Sequence, residues 1–140
     1  MNAVNQHVIT EQTIHAWCMD MSSSIKQRNL EQHMALISER VQVYGMPSKD
    51  SINYKEWKNR RRNEFSNNEV LALNYEGVHI ISSTTRRIRF ETTEKLLGQD
   101  GKMVFLNKQI LLECEDDQAW RVVEENVQSW RVKKLDLQSF

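Results

Sequence analysis

The sequence contains few of the residues that interrupt helices and strands or that cross-link the chain. Its 140 residues include a single proline, Pro47, four glycines and two cysteines. Cys18 and Cys114 lie far apart, and neither belongs to a Cys/His spacing that is typical of zinc ligands. This usage favours reduced, packed thiols. We therefore predict neither a disulfide nor a metal site.

Net charge is also absent, because 19 lysines and arginines balance 19 aspartates and glutamates. Without an overall field we expect no nucleic acid partner and no attraction to an anionic membrane. The first twelve residues are polar, and no apolar run approaches the roughly 20 residues that span a bilayer. The sequence also has no glycine-rich phosphate loop or nucleophile elbow. These absences predict a soluble, cytoplasmic protein without a cofactor.

Three helices are predicted in the first half of the chain. Apolar residues recur at helical spacing from Thr10 to Ile25. Asn29 is a residue type that caps helices, and the apolar residues after it predict a short second helix. Ser51 is placed to cap a third helix that runs to about Phe65.

Strands dominate the rest of the chain, after a first short strand that ends at Tyr44. Alternating polar and apolar residues joined by short turns predict an antiparallel meander over residues 69–81, 86–96, 102–115 and 118–132. Helices followed by a sheet is the α+β order, in which helices cover one face of a bent sheet. We expect a single domain over residues 1–140, with a core from about 8 to 132 and a loosely held tail.

Two sequence blocks resemble the nuclear transport factor 2-like superfamily, especially its polyketide-cyclase-like (SnoaL-like) branch. They are "RNLEQHMALISERVQVYG" at residues 28–45 and "DQAWRVVEENV" at residues 117–127. The first is similar to that family's second helix and first strand, and the second to its final strand. The resemblance implies a cystatin-like cone of three N-terminal helices packed on a strongly curved mixed sheet. It also implies a homodimer formed through the sheet.

The final strand contains the leading candidate for a catalytic group. Strict alternation places Val123, Glu125 and Val127 on one side, and this side has the character of a cavity wall. An acid among apolar neighbours resists ionisation unless a cation compensates. Glu125 is therefore the candidate acid or base, and the alternative is a solvated or salt-bridged glutamate.

Further candidates for a ligand pocket come from the helices. Trp17, Met21 and Trp57 lie on apolar stripes that can line a cavity or simply fill a core. His33 lies on the apolar stripe of the second helix, where a satisfied core histidine is the main alternative to a ligand contact. Arg61 shares a stripe with Trp57 and is a candidate partner for Glu125 or for an anionic ligand.

The catalytic groups of one enzyme of the superfamily, ketosteroid isomerase, are missing. Aligned on the "NLE" at residues 29–31, the position of that enzyme's tyrosine falls on Met21 and the position of its carboxylate base on Gly45. Its later acid falls near Ile110. Isomerisation by that mechanism is therefore disfavoured.

Two functions stay open at this point. The first is a pocket protein for a small apolar or weakly anionic molecule, with acid/base chemistry by Glu125. The second is a non-catalytic association module whose cone is packed shut. A cavity of roughly 300 Å³ or more, lined by Trp57 and Glu125, favours the first function, and a filled cone favours the second.

Overall fold

The computed structural model describes residues 3–47 and 49–135. Three helices and six strands follow one another along the chain. They are α1 (Ala3–Lys26), α2 (Leu30–Met34), β1 (Ile37–Tyr44), β2 (Ile52–Asn53), α3 (Tyr54–Ser66), β3 (Val70–Ser83), β4 (Arg87–Gly98), β5 (Lys102–Cys114) and β6 (Trp120–Lys134). The predicted loose tail begins inside β6, and its last residues, 136–140, lie outside the described residues.

All six strands form one mixed sheet in the order β2-β1-β6-β5-β4-β3. Strands β3 to β6 pair antiparallel in sequence order, which confirms the predicted meander. Strand β1 joins the free edge of β6 in parallel. The three helices and the sheet form the predicted α+β cone. Strand β2, which pairs with β1, was not predicted.

Two helix starts differ from the prediction. Helix α1 begins at Ala3, well before Thr10, because residues 3–9 contain no proline or glycine that would stop the helix. The cap of α3 is Asn53 and not Ser51. Asn53 accepts a hydrogen bond from the backbone N–H of Glu56, and the Glu56 side chain accepts one from the backbone N–H of Asn53. This reciprocal pair is a capping box. The predicted cap of α2, Asn29, is confirmed.

Gly45 ends β1 where the chain crosses close to β6. Its φ is +87°, and a Cβ atom placed there would lie 2.2 Å from the carbonyl oxygen of Val127. Both features require glycine. The turn at Gly45 therefore lets β1 lie against the strand that contains Glu125.

Strand β6 is not regular, and its irregularity changes which side chains face inward. The register with β5 shifts between the pairs Leu111↔Glu124 and Leu112↔Val122, so Val123 is an extra residue in the strand. As a result the Val122 side chain lies in the buried core, although strict alternation would place it on the other face of the sheet from Glu125. Val123 is buried outside that core cluster. Val123 therefore does not share a face of the sheet with Glu125 and Val127, in contrast to the prediction.

The core lies between the helices and the inner face of the sheet. It combines the stripe of α1, the inner residues of β1 and alternate residues of β4, β5 and β6, among them Ile14, Met21, Ile25, Ile37, Val41, Ile88, Phe90, Ile110, Leu112 and Val122. Within the described ranges, no helix is both long enough and apolar enough to cross a membrane.

Candidate functional site

A lysine lies between two glutamates on the inner face of the sheet. The Lys108 Nζ atom donates a hydrogen bond to Glu125 Oε1 at 2.8 Å and is 2.9 Å from Glu94 Oε2. The three side chains are 6%, 1% and 2% exposed, in the order Lys108, Glu125 and Glu94. We call these three residues the buried triad. Charged side chains are almost never this deeply buried unless they are paired.

Three neighbouring strands position the buried triad. Glu94 lies on β4, Lys108 on β5 and Glu125 on β6, and β5 is the middle strand. Leu106 pairs with Glu94, and Lys108 pairs with Val127, so the register places the lysine between the two acids. Side chains at these positions point to the same face because strand residues alternate. Rigid strands thus set the geometry of the triad.

The two glutamates of the triad have different electrostatic surroundings. Burial raises the pKa of Glu125, and the neighbouring Glu94 charge raises it further, while Lys108 opposes both effects without overcoming them. Burial also acts to raise the pKa of Glu94. There, however, Lys108 and Arg61, with hydrogen bonds from Lys108 and Tyr75, outweigh burial and leave the pKa below its usual value. Glu94 therefore stays ionised, whereas Glu125 holds a proton more readily.

Lys108 stays charged in this environment. Burial acts to lower its pKa, but the charges of Glu125 and Glu94 and the hydrogen bonds to them outweigh burial and raise it. With both glutamates ionised the triad carries one net negative charge. A proton on Glu125 makes the triad neutral, which a desolvated interior favours.

One oxygen of the triad has no partner. Of the buried side-chain oxygen and nitrogen atoms in the described residues, Glu125 Oε2 alone lacks a hydrogen-bond partner. A buried polar atom without a partner costs about 1–3 kcal/mol. In native folds such an atom is often a catalytic group or the partner of a bound water or ion.

Tyr75 and Arg61 complete the surroundings of Glu94. The Tyr75 hydroxyl donates to Glu94 Oε1 at 3.2 Å. Arg61, a candidate partner for Glu125 or for an anionic ligand, forms its ion pair with Glu64 at 2.7 Å, and its charge also acts on both glutamates of the triad. The cation that directly neutralises Glu125 is therefore Lys108.

His33 lies at the centre of a second buried network. Its Nε2 atom accepts from Trp57 Nε1 at 3.0 Å and from Arg61 Nε at 3.3 Å. Its Nδ1 atom is 2.9 Å from the hydroxyl of Ser24, which itself donates to the carbonyl of Met21 at 2.7 Å. The proton of the ring is therefore on Nδ1. Burial, with the charges of Arg61 and Lys108, lowers the pKa of His33 to about 2.

The buried triad lines a small cavity, which we call the inner chamber. Its volume is about 60 Å³, and its wall consists of Val43, Met46, Ile52, Trp57, Arg60, Arg61, Glu94, Leu96, Leu106, Lys108 and Glu125. The wall includes Trp57 and Glu125, as the pocket hypothesis requires. The volume, however, is below the roughly 300 Å³ that this hypothesis requires for a whole ligand.

An open groove, which we call the vestibule, continues from the inner chamber. It has a volume of about 560 Å³ and shares Met46, Ile52, Arg60, Leu96 and Leu106 with the chamber wall. Its outer part includes Trp130 and Val132, which are 52% and 50% exposed. The chamber and the vestibule together therefore form a cleft of ligand size with the buried triad at its inner end.

A larger groove of about 910 Å³ lies elsewhere, beside α2 and β1. Three of its charged side chains pair with one another: Arg40 is 3.1 Å from Glu115, and Arg121 is 3.2 Å from Glu115. These residues are partly exposed, and surface ion pairs of this kind are usually structural. We therefore place the candidate site at the buried triad.

The structure brings three of the sequence-predicted site residues together. Trp57, Arg61 and Glu125 line the inner chamber. The other five, Trp17, Met21, His33, Val123 and Val127, are buried but do not line it.

Lys108, Glu94 and Tyr75 were missed in the sequence, although a signal exists for the first two. Lys108 alternates with Leu106 and Ile110, and Glu94 alternates with Phe90 and Leu96. A charge on the apolar side of an alternating strand faces the interior. No comparable pattern marks Tyr75.

Among the described residues, no group of three or more histidines, cysteines, aspartates or glutamates could hold a metal ion. The two acids of the triad are already bridged by Lys108. The side chains of this site can themselves supply proton transfer and hydrogen bonding.

Comparison with solved structures identifies the architecture. The model superposes on a nuclear transport factor 2-like protein from Cytophaga hutchinsonii with a TM-score of 0.60 and 11% identity, covering 96% of this chain and all of that one. The chain has the nuclear transport factor 2-like fold. This confirms the fold resemblance carried by the two sequence blocks. No family model matches the sequence, and no curated protein matches it either.

Two other structures with the nuclear transport factor 2-like fold have names that include an activity. A scytalone dehydratase-like protein from Novosphingobium aromaticivorans has a TM-score of 0.73 and 11% identity, covering 96% of this chain and 93% of that one. A hexachlorocyclohexane dehydrochlorinase, LinA type 2, has a TM-score of 0.62 and 7% identity, covering 94% and 93%. At these identities the likeness establishes the fold alone.

Proposed function

We propose that this protein binds a small molecule in the cleft formed by the inner chamber and the vestibule, and that Glu125 acts on it as a general acid or base. The observation that carries the proposal is the state of Glu125: it is 1% exposed, lines the chamber, and has one oxygen without a partner. Such an atom is free to exchange a proton with a bound molecule.

The electrostatics of the triad support this assignment. In acid/base sites, pairs of titratable groups often have environments that move their pKa values apart. Here the pKa of Glu94 is lowered and that of Glu125 is raised. Glu94 keeps Lys108 charged, and Lys108 holds Glu125 by one oxygen and leaves the other to the ligand. Glu125 is thus the proton-transferring group, and Lys108 and Glu94 position it.

The reactions that fit are those driven by a single proton transfer, such as isomerisation, cyclisation, or the addition or loss of water. Two proteins with the same fold have names that denote elimination reactions, a dehydratase and a dehydrochlorinase. An elimination also begins with removal of a proton by a base. These names are in keeping with acid/base chemistry in this cleft.

We also propose that the protein is a cytoplasmic homodimer that associates through the outer face of the sheet. Phe105 on that face is partly covered by two cations: the Arg131 Cζ atom lies 4.0 Å from the ring centroid, and the Lys95 Nζ atom lies 5.8 Å from it. Beside it, Thr93 donates to Asn107, which donates to Ser129, both at 2.7 Å. Apolar area next to ordered polar groups is common at homodimer interfaces.

A second candidate function is the association module without catalysis. The observation that favours it is the volume of about 60 Å³ in the inner chamber, which is small for a complete ligand. In this case the buried triad only holds β4, β5 and β6 together.

The two functions can be separated by mass spectrometry. Native mass spectrometry after incubation of the protein with a cell metabolite extract should show a retained small molecule, and analysis of the extract should show one compound converted. Glu125→Gln should abolish the conversion and keep the fold. Glu124→Gln, one residue away and half-exposed, is the matched control and should behave like the wild type. Neither retention nor conversion by the wild type would favour the association module.

A further inference from the structure

The size of the inner chamber limits what it can hold. A water molecule occupies about 30 Å³ of liquid volume. A chamber of about 60 Å³ therefore accepts a group of one or two non-hydrogen atoms. The rest of any ligand must lie in the vestibule, which has about 560 Å³.

The polar atoms of the chamber define the chemistry of that small group. Glu125 Oε2 has no partner among the described residues, so it is available as an acceptor when Glu125 is ionised. Lys108 Nζ has two partners there, Glu125 Oε1 and Glu94 Oε2, while an ammonium group carries three hydrogens. Glu125 and Lys108 therefore offer one free acceptor beside one free donor, while Arg60, which also lines the vestibule, adds a guanidinium group to the wall.

A hydroxyl group satisfies both atoms at once, because it donates one hydrogen bond and also accepts. An ammonium group can donate to Glu125 but cannot accept from Lys108. A carboxylate can accept from Lys108 but cannot donate, and it would lie next to Glu94 and Glu125. The ionised Glu125 oxygen would repel such a group, although Arg60 and Arg61 also line the chamber.

The vestibule requires a different character in the rest of the ligand. Its wall is largely apolar and includes Leu96, Val104, Leu106, Trp130 and Val132. Binding of an apolar molecule over the exposed tryptophan and valine side chains at the mouth of the cleft is favourable, because it removes apolar surface from water.

We infer that the ligand is an alcohol with an apolar body, whose hydroxyl group enters the inner chamber and bridges Glu125 Oε2 and Lys108 Nζ. This inference rests on the proposed function, because it assumes that the cleft binds a small molecule. It keeps the apolar body expected from the sequence and replaces the weakly anionic group with a hydroxyl.

Four naphthalene derivatives test the inference, since they differ only in the group that reaches the chamber. They are 2-naphthalenemethanol, 2-methylnaphthalene, 2-naphthalenemethylamine and 2-naphthoate. Binding is measured at pH 7 by quenching of tryptophan fluorescence, because Trp57 lines the chamber and Trp130 the vestibule. The alcohol should bind at least roughly tenfold more tightly than each of the other three. In Glu125→Gln the alcohol should lose this advantage, while in Glu124→Gln it should keep it.

The other outcomes overturn the inference in distinguishable ways. Tightest binding of the amine or of the carboxylate would contradict the hydroxyl assignment and leave the pocket function standing. Equal binding of all four compounds would show that only the vestibule is used, and would also overturn the inference alone. Binding of none of them would overturn both the inference and the pocket function.

Discussion

Replacement of Lys108 by methionine tests whether the triad is as deeply buried as the structure shows. Methionine keeps an unbranched apolar stem of similar length but removes the charge that both Glu94 and Glu125 contact. Removal of one partner from a buried ion pair costs about 3–5 kcal/mol, because the remaining charge stays uncompensated. We expect a loss of this size at pH 7 in urea unfolding followed by tryptophan fluorescence.

In the wild type, Glu94 and Lys108 set the pH range over which their interactions stabilise the fold. In the wild type the pKa of Glu94 is lowered, so its contribution is present above the usual glutamate pKa and is lost as the pH falls through the lowered value. The raised pKa of Lys108 contributes stability below the usual lysine pKa and loses it as the pH rises through the raised value. Both contributions are therefore complete from about pH 5 to pH 9.

In Lys108→Met, burial and mutual repulsion should raise the pKa of both glutamates. A carboxyl group whose pKa is raised in the folded state does not lower the free energy of unfolding below the usual glutamate pKa. It lowers the free energy of unfolding as the pH rises through the raised value. The deficit relative to the wild type should therefore shrink between pH 8 and pH 5. Adding Glu125→Gln to Lys108→Met removes one uncompensated charge and should recover part of the loss at pH 7.

The matched control is Lys102→Met, the same change at an exposed position on the same strand. It should alter the free energy of unfolding by no more than about 0.5 kcal/mol. A loss below about 1 kcal/mol in Lys108→Met, or a deficit equal at pH 8 and pH 5, would refute the reasoning.

Three further predictions address other parts of the molecule. Trp57→Ala should lower the free energy of unfolding in urea by about 3 kcal/mol or more, because the ring is 7% exposed and hydrogen-bonded to His33. Trp130→Ala, at a side chain that is 52% exposed, should change it by less than about 1 kcal/mol, and equal effects of the two changes would contradict this prediction. The His33 ring should show the Nδ1–H tautomer and no protonation from pH 7.5 to pH 5 in long-range proton–nitrogen NMR spectra, since its pKa is about 2; a protonated ring at pH 5 would disprove the assigned network. Light scattering at micromolar concentration should give twice the chain mass of 16.6 kDa, and the mass of one chain would remove the dimer.

Much of the fold could be predicted because its signals are local. The apolar spacing of α1, the cap at Asn29 and the alternation of four strands each depend on residues close in the chain. The same reasoning made Glu125 a candidate interior acid. The cap of α3 was missed because Ser51 and Asn53 are both good caps, and the reciprocal contact with Glu56 decides between them.

The sequence by itself thus determined the order of helices and strands and made Glu125 on the last strand the leading candidate for an interior acid, with a solvated or salt-bridged glutamate as the alternative. Tertiary structure alone decided which cation meets that glutamate, because Lys108 is 17 residues away and reaches Glu125 only through the pairing of β5 with β6. It also decided the position of Val122, since a single extra residue in β6 reverses the alternation that local pattern assumes. The size of the chamber depends on how side chains from α3, β1 and four further strands fill one space, and packing of this kind has no local signal.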